Sequence, residues 1–350
     1  MRVAFLDSIL APLTFVAPFM CHAIAIFICG RLIIANEITV GDFVAVNGYL
    51  SLIIGPIMGI GSLLSVLQKG LASLDRIYDF LMIEEEKPTD EERELPLTTL
   101  TVKDLTFTYP ETKVPMLHDV NLTIKPGEFI GIVGGPGSGK STLFKLLLRL
   151  HDTPQGSIYV GDEDITSMPL QVLRRSIAYV PPEPYLLGTT IGENIAFGEA
   201  SDHTLELSQA AERAALTRDL SERLAPAAKR LKEGGTDLSG GQKQRVNIAR
   251  GLYKNAPYLL LDDSFSALDT ISAGTIINTL RQGRNQSLLF ISQRLEALRE
   301  ADRIIVFKKV SIVEEGTHEA LMAKEGEYYR LYAQQLDEPL IGVAEEGGDQ

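Results

Sequence analysis

The chain has 350 residues, of which 45% are hydrophobic and 23% are charged, and its formal net charge is −13. This length suits two or three domains. The acidic balance argues against nucleic acid as the main partner, because a phosphate backbone is met by clustered Lys and Arg, and no basic patch stands out in the sequence.

Two uncharged apolar runs lie near the N-terminus, at residues 9–29 and 43–67. Each reaches the roughly 20 residues that a helix needs to cross a bilayer. A signal peptide fits poorly, because the first run is too long and a second run follows it. The sequence therefore predicts a membrane hairpin whose second helix continues into the cytosol; a buried helix of a soluble protein is the alternative for each run. His22 lies at membrane depth with no partner visible in the sequence.

Two membrane helices cannot enclose a pathway by themselves. We therefore expect that the chain oligomerises or forms the C-terminal part of a larger membrane protein. Residues 1–83 are predicted to be the membrane part, and the charged segment 84–98, which contains Pro88, is typical of a solvated linker. A second domain is predicted over residues 99–335, and the acidic tail at 336–350 is expected to be disordered.

An apolar run at residues 129–133 predicts a buried strand, and the residues after 140 have the apolar spacing of a helix. Between them lies a match to the phosphate-binding P-loop pattern G-x-x-x-x-G-K-S/T, formed by Gly134, Gly135, Pro136, Gly137, Ser138, Gly139, Lys140, Ser141 and Thr142. Glycines let backbone N–H groups face the phosphates, and a helix N-terminus adds partial positive charge. Lys140 is expected to reach the β- and γ-phosphates, and the Ser141 hydroxyl to ligate Mg²⁺. An ordinary glycine-rich turn is the alternative, but the full motif in this context predicts a nucleoside triphosphate site.

Tyr109 follows a strand predicted at residues 101–108. Considered alone it is a packed aromatic residue, but its position one hairpin ahead of the P-loop makes it a candidate for stacking on an adenine ring. A second anion site is predicted after Leu238, at Ser239, Gly240, Gly241 and Gln242, because a small hydroxyl and two glycines precede a helical run. A single chain has little use for two phosphate sites unless one of them serves a neighbouring molecule.

A third motif is an apolar strand at residues 258–261 that ends in two carboxylates, Asp262 and Asp263. Asp262 is expected to hold Mg²⁺ or its waters, and Asp263 to lie near the attacking water. An apolar strand that ends in Asp is common, so the order and spacing of all three motifs give this interpretation its weight.

Together the three motifs resemble the ATP-binding cassette of ABC transporters, with matches over residues 101–331. The resemblance implies an α/β P-loop fold with a RecA-like core, an antiparallel β subdomain and a helical subdomain, preceded by a two-helix transmembrane hairpin. The hairpin resembles the last two of six membrane helices in an exporter-type half-transporter. The first four helices are then expected to be missing here, which leaves open whether Met1 is the biological start.

The resemblance also implies a mechanism. Two cassettes meet head to tail and enclose two ATP molecules with Mg²⁺, each between one P-loop and the partner's Leu-Ser-Gly-Gly-Gln signature. By motif position, Tyr109 stacks on adenine, and Ser239 and Gly241 contact the γ-phosphate bound by the partner. Glu233 matches a Glu that senses the membrane domain, and residues 266–269 form the loop that links the two sites.

Three positions depart from the family pattern. The catalytic Glu is replaced by Asp263, whose carboxylate is retracted by about an ångström, and misplacement on that scale can cost roughly a hundredfold in rate. The switch His is replaced by Gln293, which can donate a hydrogen bond but cannot take up a proton. The Gln that normally ligates Mg²⁺ is replaced by Pro182, which has no side-chain ligand.

The leading hypothesis is therefore one subunit of a heterodimeric exporter in the plasma (inner) membrane, with a cytoplasmic cassette. Its own ATP site is catalytic through Asp263 and Gln293 but slow, and its intact signature serves the partner's site. A homodimer with slow ATPase at both sites is the alternative. A soluble ABC ATPase acting on DNA or ribosomes fits less well because such proteins lack membrane hairpins. A nucleotide-binding regulatory module is a fourth hypothesis. The transported substrate cannot be predicted from the sequence.

Overall fold

The computed structural model describes residues 2–83, 93–197, 204–216, 230–283 and 285–337. The chain divides into two compact units, Met1–Glu86 and Lys87–Gln350. Most of the predicted linker at 84–98, and all but two residues of the predicted tail at 336–350, lie outside the described residues. The domain boundaries inferred from the sequence therefore stay predictions.

The first unit is a pair of long helices, α1 (Arg2–Ile34) and α2 (Val40–Leu81). Thr39 caps α2: its side chain accepts a hydrogen bond from Asp42 N at 3.2 Å, and the Asp42 carboxylate accepts from Thr39 N at 2.8 Å. This reciprocal capping box satisfies backbone donors that a helix start otherwise leaves free. Pro56 lies within α2 without ending it.

Both helices are long and apolar enough to cross a membrane. Large apolar side chains along them are exposed, including Phe19, Phe27 and Leu52. His22, for which the sequence shows no partner, joins the two helices, because its Nε2 lies 3.2 Å from the Ser51 hydroxyl. The two apolar helices agree with the predicted membrane hairpin.

The second unit contains a four-stranded antiparallel sheet with the order β2-β1-β4-β5. Its strands are β1 (Leu100–Phe107), β2 (Leu117–Ile124), β4 (Ile158–Val160) and β5 (Glu163–Asp164). Buried apolar residues alternate with exposed ones along β2, as expected for a sheet with one covered face.

The larger sheet has six strands in the order β10-β9-β3-β8-β7-β6. They are β3 (Phe129–Gly134), β6 (Ile177–Val180), β7 (Tyr258–Asp262), β8 (Ser287–Ile291), β9 (Arg303–Lys308) and β10 (Ser311–Gly316). All neighbours are parallel except β9 and β10. The parallel strands read as continuous apolar runs because both faces of the sheet are covered.

Helices and two apolar clusters cover the sheet. The helices are α3 (Lys140–Leu147), α4 (Leu170–Ser176), α5 (Ile191–Ala196), α6 (Thr204–Arg213), α7 (Gly240–Tyr253), α8 (Thr270–Gln282), α9 (Leu295–Leu298), α10 (His318–Ala323) and α11 (Glu327–Asp337). A 3₁₀ turn, Glu233–Gly235, precedes α7. Alternate residues of β3 and β7 enter opposite clusters: Leu259 and Leu261 enter one, and Leu260 the other. Because β3, β6, β7 and β8 are parallel, their carboxyl ends meet at one edge of the sheet.

Candidate functional site: a nucleotide-binding edge

The loop between β3 and α3 has the backbone that its glycines permit. Gly134, Gly137 and Gly139 all have positive φ, at 155°, 69° and 97°. A Cβ at Gly134 would lie 2.3 Å from the carbonyl oxygen of Phe307, and one at Gly139 would lie 2.6 Å from that of Met116. Only glycine fits these two positions, so the loop closes tightly over the start of α3.

Lys140 is held inside this loop. Its Nζ donates to the carbonyl oxygens of Gly134 and Gly135, both at 2.8 Å, and to the Ser138 hydroxyl at 3.2 Å. Burial lowers the pKa of Lys140, while the charges of Asp262 and Asp263 act in the opposite direction. A cation, a helix N-terminus and turned backbone together form the kind of cradle that binds phosphates.

Asp262, at the end of β7, lies beside the cradle and is almost fully buried, with 3% of its surface exposed. The Ser141 hydroxyl donates to its Oδ1 at 2.9 Å, and the Tyr179 hydroxyl donates to its Oδ2 at 3.1 Å. A serine hydroxyl and a carboxylate are oxygen ligands of the kind that Mg²⁺ takes alongside substrate phosphates. The described part of the chain contains no cluster of three or more His, Cys, Asp or Glu arranged for a metal ion. The Ser141 hydroxyl and the Asp262 carboxylate supply two oxygen ligands, which fits Mg²⁺ held jointly with nucleotide phosphates.

Asp263 and Gln293 are brought together by the pairing of β7 with β8. Gln293 Nε2 donates to Asp263 Oδ2 at 3.1 Å, and the backbone N–H of Gln293 approaches Oδ1 at 3.4 Å. Asp263 has a φ of 47° and donates its backbone N–H to Ile291 O at 3.0 Å. Burial raises the pKa of Asp263; the nearby Asp262 charge acts in the same direction, whereas the hydrogen bond from Gln293 N–H opposes it.

The loop after β6 has no side-chain metal ligand at position 182, and a hydrogen bond to its backbone anchors it. Asn247 Nδ2 donates to Pro181 O at 3.1 Å, and Pro182 itself is exposed. Further along, the Tyr185 hydroxyl donates to Glu233 Oε1 at 2.8 Å, and this bond raises the pKa of Tyr185. No sequence motif indicated that Tyr185 would contact Glu233.

The signature residues lie at the start of α7. Ser239 is the N-cap: its hydroxyl accepts from Gln242 N at 3.2 Å, and Gln242 Oε1 accepts from Ser239 N at 3.0 Å. Ser239 and Gly240 are exposed, and a Cβ at Gly241 would lie 3.1 Å from Ala267 O. Because the Ser239 oxygen accepts from its own helix, its O–H can still donate to a ligand.

The loop at 266–269 is tied to the residues around Gln293. Arg294 donates to Ser266 O at 2.9 Å and to Leu268 O at 2.5 Å, and Ser266 Oγ donates to Asp263 O at 2.9 Å. Asp269 caps α8 by accepting from Ser272 N at 2.9 Å. Sequence reasoning missed Arg294, although its position directly after Gln293 was a usable signal.

Tyr109 packs beside the P-loop helix. Its hydroxyl lies 3.2 Å from Thr142 Oγ1, and its ring meets those of Phe107 and His151 edge to face, both at 5.0 Å between centroids. The ring is partly buried. Its expected role in adenine stacking stays a prediction.

These features define a P-loop nucleotide-binding domain: a glycine-lined phosphate cradle with its lysine, beside a serine whose hydroxyl bonds to a buried aspartate. The comparisons with known proteins narrow the class. Residues 117–266 match the ABC transporter family.

Three similar proteins illustrate the relationship. The probable multidrug resistance ABC transporter ATP-binding/permease protein YheI of Bacillus subtilis (strain 168) is 37% identical over 99% of this chain and 59% of its own length. The multidrug resistance-like ATP-binding protein MdlA of Escherichia coli (strain K12) is 34% identical over 100% of this chain and 60% of its own. A solved bacterial Atm1-family ABC exporter with ATP bound has a TM-score of 0.69 and 32% identity, covering 86% of this chain and 54% of that one.

The chain therefore carries an ABC transporter ATPase domain, and the solved structure that it resembles is a bacterial ABC exporter. The predicted ABC transporter domain and its cassette fold are confirmed. The chain spans less than two thirds of the length of these relatives. The roles assigned to individual residues stay predictions.

Proposed function

We propose that this chain is a subunit of an ATP-driven exporter, that it binds MgATP at its own P-loop and hydrolyses it slowly, and that it supplies its signature to the catalytic site of a second half-transporter. The exporter relatives and the two apolar helices support the general activity. The hydrogen-bonded pair Asp263–Gln293 is the observation that supports slow hydrolysis at the chain's own site.

At its own site the chain holds the nucleotide through the P-loop backbone and Lys140. Ser141 and Asp262 would hold Mg²⁺, which when bound neutralises charge on the nucleotide phosphates. Tyr109 supplies an aromatic surface for the base. Asp263 orients the attacking water, and Gln293 donates a hydrogen bond toward the terminal phosphate.

Slow hydrolysis is expected because of the side chains that would position the attacking water and accept its proton. The carboxylate of Asp263 stands one methylene short of the family's Glu, and its Oδ2 is engaged by Gln293 at 3.1 Å. A carboxamide has no site for the proton that an imidazole accepts. Pro182 adds no side-chain ligand for the metal ion. Each change leaves nucleotide binding in place and acts against turnover.

The signature residues have no such departure, and Ser239 is exposed at the start of a well-capped helix. An intact signature beside a slow site favours a heterodimer, in which the partner chain contributes Glu and His to the productive site. We further propose that the chain lies in the plasma (inner) membrane, among lipids, with its cassette in the cytoplasm. A homodimer with slow ATPase at both sites is the alternative, favoured if the chain alone hydrolyses ATP.

The test is ATP binding and turnover by the full chain in detergent, beside the double variant Asp263→Glu/Gln293→His. We expect saturable MgATP binding with turnover far below the typical enzyme rate of about 10 s⁻¹, and a rise of roughly ten- to a hundredfold in the double variant. A control with the same two exchanges at exposed positions, Asp162→Glu/Gln334→His, should leave turnover unchanged.

Turnover near 10 s⁻¹ by the unchanged chain would contradict the slow site and favour the homodimer. The absence of ATP binding would contradict the whole proposal. Protease accessibility of the cassette in inside-out and right-side-out membrane vesicles tests the orientation, with cleavage expected in inside-out vesicles only.

A further inference from the structure

Tyr179 makes a contact at the metal-site carboxylate that neither the sequence motifs nor the proposed mechanism uses. It lies on β6 and pairs with Leu260 of the parallel strand β7. Leu260 precedes Asp262 by two residues. This register brings its hydroxyl to 3.1 Å from Asp262 Oδ2, although the two residues are 83 positions apart in the chain.

The ring of Tyr179 is fixed by packing. It contacts Phe144 of the P-loop helix edge to face, with the centroids 6.5 Å apart and the planes at 88°. Phe144 is fully buried. Tyr179 is partly buried and packs against the apolar cluster that contains Phe144, so this packing restricts where its hydroxyl can lie.

The bond divides the two oxygens of Asp262 between two donors. Tyr179 occupies Oδ2, while Oδ1 faces Ser141, the other expected metal ligand, at 2.9 Å. The Tyr179 hydroxyl carries a proton and the carboxylate carries none, so the tyrosine is the donor in this bond. Partners of this kind orient ligating carboxylates in metal sites.

We propose that Tyr179 is a positioning residue of the magnesium site: by donating to Oδ2 it holds the Asp262 carboxylate so that Oδ1 stays directed toward Ser141 and the metal ion. This inference rests on the proposed MgATP binding. The Tyr179 bond matters more here than it would at a site with a Gln at position 182, because Pro182 provides no side-chain ligand for the metal ion.

The experiment compares Tyr179→Phe with the unchanged full chain in detergent. Two quantities are measured: the affinity for the nonhydrolysable analogue AMP-PNP in EDTA, and the affinity of Mn²⁺ for the chain–AMP-PNP complex, followed by electron paramagnetic resonance. Removing the hydroxyl is expected to weaken Mn²⁺ binding about tenfold, in line with losses of metal-orienting partners, and to leave the metal-free affinity unchanged.

Tyr258→Phe is the matched control. Tyr258 is a buried tyrosine of the same sheet. Its hydroxyl donates to Thr98 O at 2.7 Å and accepts from Thr98 N at 3.4 Å, so the variant also loses the bonds of a tyrosine hydroxyl, but far from the metal ligands. It should leave both affinities unchanged. In an Asp262→Asn background, Tyr179→Phe should cause little further loss of Mn²⁺ affinity, because the hydroxyl acts through that carboxylate.

Wild-type Mn²⁺ affinity in Tyr179→Phe would overturn the inference and leave the proposed function intact. An equal loss of metal-free AMP-PNP binding would also overturn it, since the effect would then be general and not exerted through the metal ion. Failure of the unchanged chain to bind AMP-PNP at all would instead overturn the proposed function, and this inference with it.

Discussion

Gln335 provides a prediction that can be worked out from the structure. It lies on α11, and its carboxamide spans the backbone beside Gln293: Oε1 accepts from Leu295 N at 2.9 Å, and Nε2 donates to Gln293 O at 3.0 Å. Gln335→Ala removes both bonds. A protein hydrogen bond contributes about 0.5–1.5 kcal/mol net, so two bonds set a range of about 1–3 kcal/mol.

The lower part of that range applies, because Gln335 is exposed and water can replace some of what is lost. A loss of about 1–1.5 kcal/mol should lower the Tm of a cassette-sized domain by roughly 2–6 °C. The assay is differential scanning fluorimetry of the full chain in detergent. Gln335→Met, which keeps the length of the side chain but loses both bonds, should give a similar decrease.

Gln334→Ala is the control, because Gln334 is an exposed glutamine on the same helix. It should change Tm by less than about 1 °C, as surface substitutions usually do. If Gln335→Ala and Gln334→Ala have the same Tm, water replaces the carboxamide fully, and the idea that α11 holds the Gln293 loop is wrong.

Two further predictions concern capping and pH. Ser239→Ala removes the cap of α7 and should destabilise the cassette by about 1 kcal/mol, seen as a lower Tm, while AMP-PNP affinity at the chain's own P-loop stays unchanged; a loss of that affinity would contradict it. Burial raises the pKa of Asp164, but hydrogen bonds from Thr166 and Gly156 outweigh it and leave the pKa lowered. Its stabilisation is therefore present above the unfolded value of about 4 and is lost as pH falls through the folded value, so Asp164→Asn should cost about 1 kcal/mol at pH 7 and progressively less in acid. Urea midpoints at several pH values measure this cost, and a cost independent of pH would refute the assignment.

The local parts of the site could be predicted from the sequence. A glycine-rich loop with Lys140, a cap at Ser239 and two carboxylates after an apolar strand each carry their information within about ten residues, because turns and caps depend on neighbouring residues. Strand existence was likewise predictable from the apolar runs at β3 and β7.

The contacts that tune the site could not be predicted. Tyr179 reaches Asp262 through the register of β6 against β7, and continuous apolar strands give no alternation from which a register could be read. Gln335 reaches Gln293 across 42 residues because α11 folds back over that loop. His22 finds Ser51 only when the two helices lie side by side. In each case the sequence shows the residue, and only the fold supplies its partner.

The chain's own P-loop site and its signature at the start of α7 can be changed by separate substitutions. Asp263 and Gln293 belong to the chain's own P-loop site, where they bond to each other at 3.1 Å. Ser239 belongs to the start of α7, where its oxygen accepts from Gln242 and its O–H can donate elsewhere. If the proposed heterodimer is right, Ser239→Ala should lower ATP turnover when the partner chain is present, and Asp263→Glu should raise turnover when it is absent. A single active site built within one chain would make both substitutions act in the same preparation, so measuring each variant with and without a partner separates the two arrangements.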